Sequence, residues 1–458
     1  MPEPGRSAAV LDLLDRLGPE IVVVDVDILG SYRRDHAAFA DAGEPAALVR
    51  AQKTSDVVEV LGIANRHGIP VITRGAGTGL SGGANAIEGC VVLSVAAMDR
   101  ILDINVPRRL ATVECGVLNG TLARAVGAHG LWYPPDPASR EISTIGGNIA
   151  TNAGGACCLK YGVTGDHVAG VTAVLADGSM ITTGAPTRKN VAGLDLTSLL
   201  VGSEGTLAVI VEATVRLRPT PSPPSTLVAF FASPEAAGEA VVAILEVAQP
   251  SLLELMDRTT VRAVEEMTHM GLETDAGALL IVQSNSASAA IEIEAVASAC
   301  AAFGATYQAH TTDVAEGELF LEARRAALPA LERLGTTLLD DVAVPVPSVP
   351  AMLEGIRRIG ERRQVTIGTF GHAGDGNLHP TLVFDAAAPE SVASARLAFD
   401  DIVRLSLDSG GTITGEHGVG CLKMPYMEEM VGPTARSLML GIKRAFDPNG
   451  ILNPGRGI

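Results

Sequence analysis

The stretch Arg74-Gly75-Ala76-Gly77-Thr78-Gly79-Leu80-Ser81-Gly82-Gly83 follows a strand-like run, Val71 to Thr73, and decides how the amino-terminal half is read. Within it Gly77 to Gly82 matches the G-x-G-x-x-G pattern of a Rossmann nucleotide site. Such a site needs a helix directly after the glycines and a crossover of about 10 to 12 residues before the next parallel strand. Only residues 83 to 89 separate Gly82 from the strand beginning at Cys90, so the Rossmann reading fails on length. What remains is a run of main-chain amides with little side-chain bulk, an arginine and two hydroxyls, able to close around a diphosphate. A plain flexible loop is the alternative.

Two further clusters share this character. Ser143-Thr144-Ile145-Gly146-Gly147-Asn148-Ile149-Ala150-Thr151-Asn152-Ala153-Gly154-Gly155 again offers backbone amides and small polar side chains, and Gly202-Ser203-Glu204-Gly205-Thr206 precedes a strand. The chain has 50 glycines in 458 residues, about 11% against a usual figure near 7%. Their clustering points to backbone held close to a ligand. Three such loops in one strand-rich domain fit a long ligand of dinucleotide size.

Composition bounds the rest. With 34 Lys+Arg against 52 Asp+Glu, a net charge of −18 and 47% apolar residues, the chain is acidic and globular, which excludes a disordered or fibrous protein. The same charge argues against a nucleic-acid or anionic-lipid partner, because phosphate neutralisation would have the wrong sign. No run of about 18 uncharged apolar residues appears. Asp12, Asp15 and Arg16 interrupt the segment where a signal peptide needs an apolar core, so a cytoplasmic protein, at most peripheral at the inner face of the membrane, is expected. The six cysteines contain no C-x-x-C, so neither an iron–sulfur site nor a zinc ribbon is encoded; buried thiols in a reducing compartment are expected.

Residues 55 to 67 predict a helix capped by Thr54 or Ser55 and stopped at Gly68, and Asp177-Gly178 predicts a hairpin. The first part reads as strand-rich with few helices. Pro219-Thr220-Pro221-Ser222-Pro223-Pro224 is a stiff segment that reads as a domain boundary. Beyond it strands alternate with helices, including one helix over 316–333, which predicts an α+β sandwich with helices on one sheet face. The glycine-rich tail reads as returning to the first domain, giving boundaries at 1–218, 219–410 and 411–458.

These residues carry a family resemblance. The stretches from Pro70 to Ser81, Ser143 to Gly155 and Val201 to Leu207 resemble the FAD-binding domain of the vanillyl-alcohol-oxidase/PCMH flavoprotein superfamily, in the branch of D-lactate dehydrogenase, the glycolate oxidase D subunit and D-2-hydroxyglutarate dehydrogenase. The resemblance implies an α+β fold: a two-subdomain PCMH-type FAD-binding domain, a ferredoxin-like cap domain and a carboxy-terminal return segment. It implies that Arg74, Gly75, Ala76, Gly77, Thr78, Gly79 and Ser81 hold the FAD diphosphate, and that Ser143, Thr144, Gly147 and Asn148 lie along the flavin. Gly205 and Asn453 fall at further cofactor positions. His67 and His129 lie outside the first loop, so non-covalent FAD is expected.

Three of only nine histidines lie in two compact motifs, Gly371-His372-Ala373-Gly374-Asp375-Gly376-Asn377-Leu378-His379-Pro380 and Gly415-Glu416-His417-Gly418. Apolar runs on both sides make the first motif a hairpin, with Gly374 to Asn377 as turn residues and Asp375 and Asn377 serving the turn alone. His372 and His379 would then sit opposite each other and converge on one ion. With Glu416 they make a set suited to a divalent metal such as Zn or Mn with open positions. The resemblance agrees, and it implies that His417 is the catalytic base. If Glu416 and His417 are extended, they point to opposite sides.

Arg324 matches the family's substrate arginine, with a solvated surface arginine as the alternative; Arg325 would point about 100° away. No Lys or Arg lies between Arg333 and Arg357, where hydroxyglutarate-type relatives have a lysine; Asp340-Asp341 stand there instead. Lys423 also matches a family position and could equally be a surface residue. The expected activity is FAD-dependent, metal-assisted oxidation of a small D-2-hydroxy acid, with electrons passed to a cytochrome, quinone or electron-transfer flavoprotein. A D-2-hydroxyglutarate-type dehydrogenase and a flavin subunit of a multi-subunit glycolate oxidase are the alternatives, and a homodimer is compatible with either.

Overall fold

A computed structural model of the chain describes residues 7–37, 39–187 and 189–458. The first six residues, counted above into the amino-terminal domain, lie outside them. The chain divides into two compact units, Met1–Gly154 with Val163–Thr220 and Glu416–Ile458, and Gly155–Gly162 with Pro221–Gly415. Among the described residues no helix is long and apolar enough to cross a membrane.

The first unit holds two main sheets around a shared apolar core. Val22–Val23, Ala47–Arg50, Val91–Ser94 and Val71–Arg74 form one in that spatial order, with the last three parallel. Parallel pairing needs a crossover, and the helix Thr54–His67 supplies it, burying Val57, Val60, Leu61, Ile63 and Ala64. Its start differs from the expected hydroxyl cap: Asp56 turns back to accept the N–H groups of Gln52 and Lys53. The other sheet is antiparallel, in the order Ile101–Asn105, Leu110–Glu114, Val209–Arg216, Val168–Val174 and Met180–Thr182.

The unit is richer in helix than the sequence reading held, since Ala8–Leu17, Asn119–Gly127 and a helix inside the second glycine cluster join Thr54–His67. In that cluster Ile145–Thr151 is helical because Thr144 caps it through Gly147 N–H, Ile145 and Ile149 are buried, and Asn152 ends it in the left-handed region. The carboxy-terminal segment joins the parallel sheet: Val71 N–H donates to Ile451 O, and Asn453 N–H donates to Val71 O.

The second unit is built on one antiparallel sheet, ordered Ala305–Thr311, Ser225–Phe231, Ala278–Ser284, Leu252–Asp257, Thr366–His372, Asn377–Phe384 and Thr336–Leu339. Ser225–Phe231 and Ala278–Ser284 are buried at every residue, so both sheet faces are covered, not one. Continuous apolar runs such as Ala278-Leu279-Leu280-Ile281-Val282 carry that signature. Arg258–Thr268, Val314–Arg325 and Ala327–Glu332 pack on the face of Val228, Leu252, Met256, Ile281 and Phe370. Pro234–Val247 and Ala289–Ala302 pack with Val349–Arg363 and Pro389–Asp408 on the other.

The helix expected over 316–333 is two helices, Val314–Arg325 and Ala327–Glu332. Pro329 explains the break, because it has no N–H to give Arg325 O and its ring crowds that carbonyl. Arg324 therefore stands in the last turn of the first helix. Cys90, Cys115 and Cys300 are buried thiols as expected, whereas Cys157, Cys158 and Cys421 are partly exposed.

Candidate active site

In the second unit a polar cluster forms on an otherwise apolar sheet face. Leu255 pairs with Gly371 and Met256 with Phe370, so one further step of the same register sets Glu254 against His372. His379 pairs with Phe370, and His372 pairs with Asn377. The two histidines are thus diagonal neighbours, not direct partners, but they share a face and their ring centroids lie 5.3 Å apart. Gly376, at φ 72° in the turn between them, is required there because a side chain would run into Val344 O.

Glu254 is the centre of this cluster, 1% exposed. Its Oε1 lies 2.6 Å from His372 Nδ1, and its Oε2 lies 2.6 Å from Arg324 Nε. The Arg324 guanidinium also stacks over Phe370, 4.6 Å from the ring centroid. Burial opposes ionisation of Glu254, but His372, Arg324 and His379 together outweigh it and hold the carboxyl below its usual range. Arg325 points away, as its helical position dictates, and pairs with the exposed Glu318.

A second carboxylate stands behind the other histidine. Asp341, 1% exposed, accepts from Asn377 Nδ2 at 2.7 Å, from Thr414 Oγ1 at 2.6 Å and from Gly415 N–H at 2.8 Å. His379 Nδ1 lies 3.6 Å from it. Asn377 therefore does more than shape the turn. Sequence reasoning missed both Glu254 and Asp341. The signal for Glu254 was one acidic residue inside Leu252-Leu253-Glu254-Leu255-Met256, a run that otherwise reads as core.

In the first unit Glu416 and His417 lie in a bend, and His417 Nε2 is 3.6 Å from Glu416 Oε1. The alternation expected of an extended strand is absent, so the two side chains lie together. The neighbouring backbone is held by Glu204, whose buried carboxylate accepts Val419 N–H at 2.8 Å and Gly420 N–H at 2.7 Å. Burial raises the Glu204 carboxyl above its usual value against the pull of those two bonds. Ser81 Oγ donates to His417 O at 2.9 Å, and Asn453 bridges Thr73 N–H and Glu204 O. Lys423 is buried, not a surface residue.

Arg74 folds back over its own loop. Its guanidinium donates to Arg34 O at 2.9 Å and lies over the Tyr32 ring. Gly77, at φ 74°, leaves room for that guanidinium, which a Cβ would strike. The Gly75 backbone comes close to Thr144, joining the first two glycine clusters, and Gly205 lies against Asn453. Among the described residues of this unit, besides three arginine nitrogens, four buried side-chain atoms, Thr73 Oγ1, Tyr133 Oη, Ser143 Oγ and Asn148 Nδ2, have no hydrogen-bond partner in the protein. Proteins seldom leave such atoms unpaired, and two of the four belong to the second cluster. The first unit thus fits an extended polar ligand such as FAD.

Comparison with known proteins gives a consistent result. The family model "FAD binding domain" matches residues 45–184, and "FAD linked oxidases, C-terminal domain" matches residues 220–456. Glycolate oxidase subunit GlcD of Bacillus subtilis is 42% identical over 90% of this chain and 88% of its own. Its namesake in Escherichia coli K12 is 37% identical over 100% of this chain and 92% of its own. A D-lactate dehydrogenase of Archaeoglobus fulgidus is 36% identical over 91% and 92%. Among solved structures, substrate-bound p-cresol methylhydroxylase matches with a TM-score of 0.82 at 18% identity, covering 99% of this chain and 98% of that one. 4-Ethylphenol oxidase from Gulosibacter chungangensis matches at 0.81 with 20% identity, over 100% and 98%. The fold is the PCMH-type FAD-binding fold.

Proposed function

The chain belongs to the FAD-linked oxidase family, and we propose that it oxidises a small D-2-hydroxy acid of glycolate or lactate type to the 2-oxo acid, passing electrons to an external acceptor. The observation that carries this reading is the cluster in which Arg324 and His372 share Glu254 while His379 stands beside His372. A cation for a carboxylate and imidazoles for an ion are the two fixtures that an α-hydroxy carboxylate needs. Asp340 and Asp341 are both buried, and no cation lies between Arg333 and Arg357, which favours a monocarboxylate over a hydroxyglutarate-type substrate.

In this reading Arg324 takes the substrate carboxylate through its guanidinium fork. His417 receives the hydroxyl proton, a task suited to a group whose unperturbed pKa is about 6.5. The sequence pattern assigns His372, His379 and Glu416 to a divalent ion, for which two imidazoles and a carboxylate would be a suitable donor set. When bound, that ion lowers the pKa of the substrate hydroxyl. FAD, when bound, would supply the acceptor for the α-hydrogen and its electron pair, chemistry that no side chain supplies. Arg74, Gly75, Ala76, Gly77, Thr78, Gly79 and Ser81 would hold its diphosphate, Ser143, Thr144, Gly147 and Asn148 would line the flavin, and Gly205 and Asn453 would support them.

The glycolate oxidase relatives carry "subunit" in their names, which favours a second reading in which the chain is the flavin-bearing member of a multi-subunit oxidase. Anaerobic single-turnover reduction separates the two. Flavin bleaching by a D-2-hydroxy acid in the isolated chain supports the catalytic reading, and bleaching only after partner subunits are added supports the second. Removal of metal by EDTA is expected to slow reduction; unchanged rates would take the ion out of the mechanism.

A further inference from the structure

We propose that Glu254 is a positioning residue that fixes a metal ligand and the substrate arginine in a single grip; this rests on the roles proposed above for His372 and Arg324. Each carboxylate oxygen has a different partner, His372 Nδ1 at 2.6 Å and Arg324 Nε at 2.6 Å. Holding Nδ1 selects the tautomer that turns Nε2 toward an ion and raises its basicity, as carboxylates behind metal-bound histidines do. The ion pair at the Nε edge of Arg324 leaves the end of the guanidinium, with its two terminal nitrogens, for a second carboxylate. Phe370, 4.6 Å below the guanidinium, removes the remaining freedom of tilt.

The fold itself does not demand an acid here. Glu254 lies in an apolar strand whose sheet-face neighbours Leu252 and Met256 belong to the hydrophobic core. A buried ion pair is often no more stabilising than apolar side chains of the same volume. The carboxylate also joins residues from three separate elements, the strand Leu252–Asp257, the helix Val314–Arg325 and the strand Thr366–His372. A change at either partner therefore reaches the other through one residue.

The test uses the full-length flavoprotein freed of metal, titrated with Zn²⁺ against a chromophoric chelator, with melting temperature and FAD content measured in parallel. Glu254→Gln is expected to keep FAD and lose about 10- to 100-fold in Zn²⁺ affinity, while KM for the hydroxy acid rises. Should the unpaired Arg324 prevent that variant from folding, the double replacement Glu254→Met with Arg324→Met removes both charges and is expected to show the same loss of Zn²⁺ affinity. His372→Ala is the control. If His372→Ala loses Zn²⁺ and Glu254→Gln binds it within twofold of wild type, the positioning role is overturned and the metal assignment stands. If His372→Ala also binds normally, His372 is not a ligand and both fall.

Discussion

In the first unit the buried side-chain atoms without a hydrogen-bond partner include Thr73 Oγ1, Ser143 Oγ and Asn148 Nδ2, in or beside the first two glycine clusters. In the second unit the buried charged groups are gathered in close pairs, with Glu254 between Arg324 and His372, and Asp341 holding Asn377, Thr414 and Gly415. The difference follows from what each must do. A long, many-atom cofactor is gripped by spreading modest hydrogen bonds over backbone, so small residues and tight turns are needed. A small substrate and an ion are fixed by few contacts, so each side chain must be held in one orientation by a neighbour behind it.

The contrast can be broken by substitution. The largest effect is expected at His417, where His417→Asn should retain FAD and metal but slow flavin reduction on the order of 10²- to 10⁴-fold; normal single-turnover reduction by this variant would remove it as the base. Arg324→Lys should next lower kcat/KM on the order of 10²-fold, because an ammonium supplies neither the fork nor the stack on Phe370. If steady-state kinetics show KM and kcat both unchanged, the carboxylate is bound elsewhere.

Changes in the first unit should act on cofactor content instead. Gly77→Ala forces a side chain into the left-handed region and against Arg74, and is expected to give protein with a reduced ratio of absorbance near 450 nm to that at 280 nm. Asn148→Ala should weaken FAD binding about tenfold, the worth of one hydrogen bond, measured by reconstitution of the apoprotein. Full occupancy in both variants would show that the glycine clusters do not hold the cofactor.

The smallest effect concerns stability. Burial pushes the Asp257 carboxyl up to about 6, so the folded state takes up its proton more readily than the unfolded chain does. The native protein then loses stability as pH rises from about 4 through 6, by the sign of the linkage relation. Asp257→Asn keeps a capping oxygen for Thr260 N–H and removes that loss. Urea unfolding should show the variant gaining on wild type by on the order of 1 kcal/mol between pH 5 and pH 7. Equal pH profiles would count against it.

Much of this was legible before any coordinates. The spacing from Gly82 to Cys90 excluded the Rossmann fold, and the histidine hairpin was visible in its flanking apolar runs. What escaped were features set by tertiary contact. The diagonal register of His372 and His379 depends on how Ala373 to Gly376 spend their residues in the turn. Ile145–Thr151 was hidden because its glycines disguise a capped, half-buried helix. Glu254 and Asp341 looked like incidental acids, since only the sheet and its loops bring histidine and arginine to them.

One measurement bears most directly on the proposed chemistry: anaerobic titration of the oxidised flavoprotein with paired D- and L-2-hydroxy acids, following the flavin band near 450 nm. The expected result is bleaching by the D-acid and by glycolate, much slower with the L-acid and abolished in His417→Asn. A flavin band untouched by every hydroxy acid, with partner subunits present as well as absent, would contradict it.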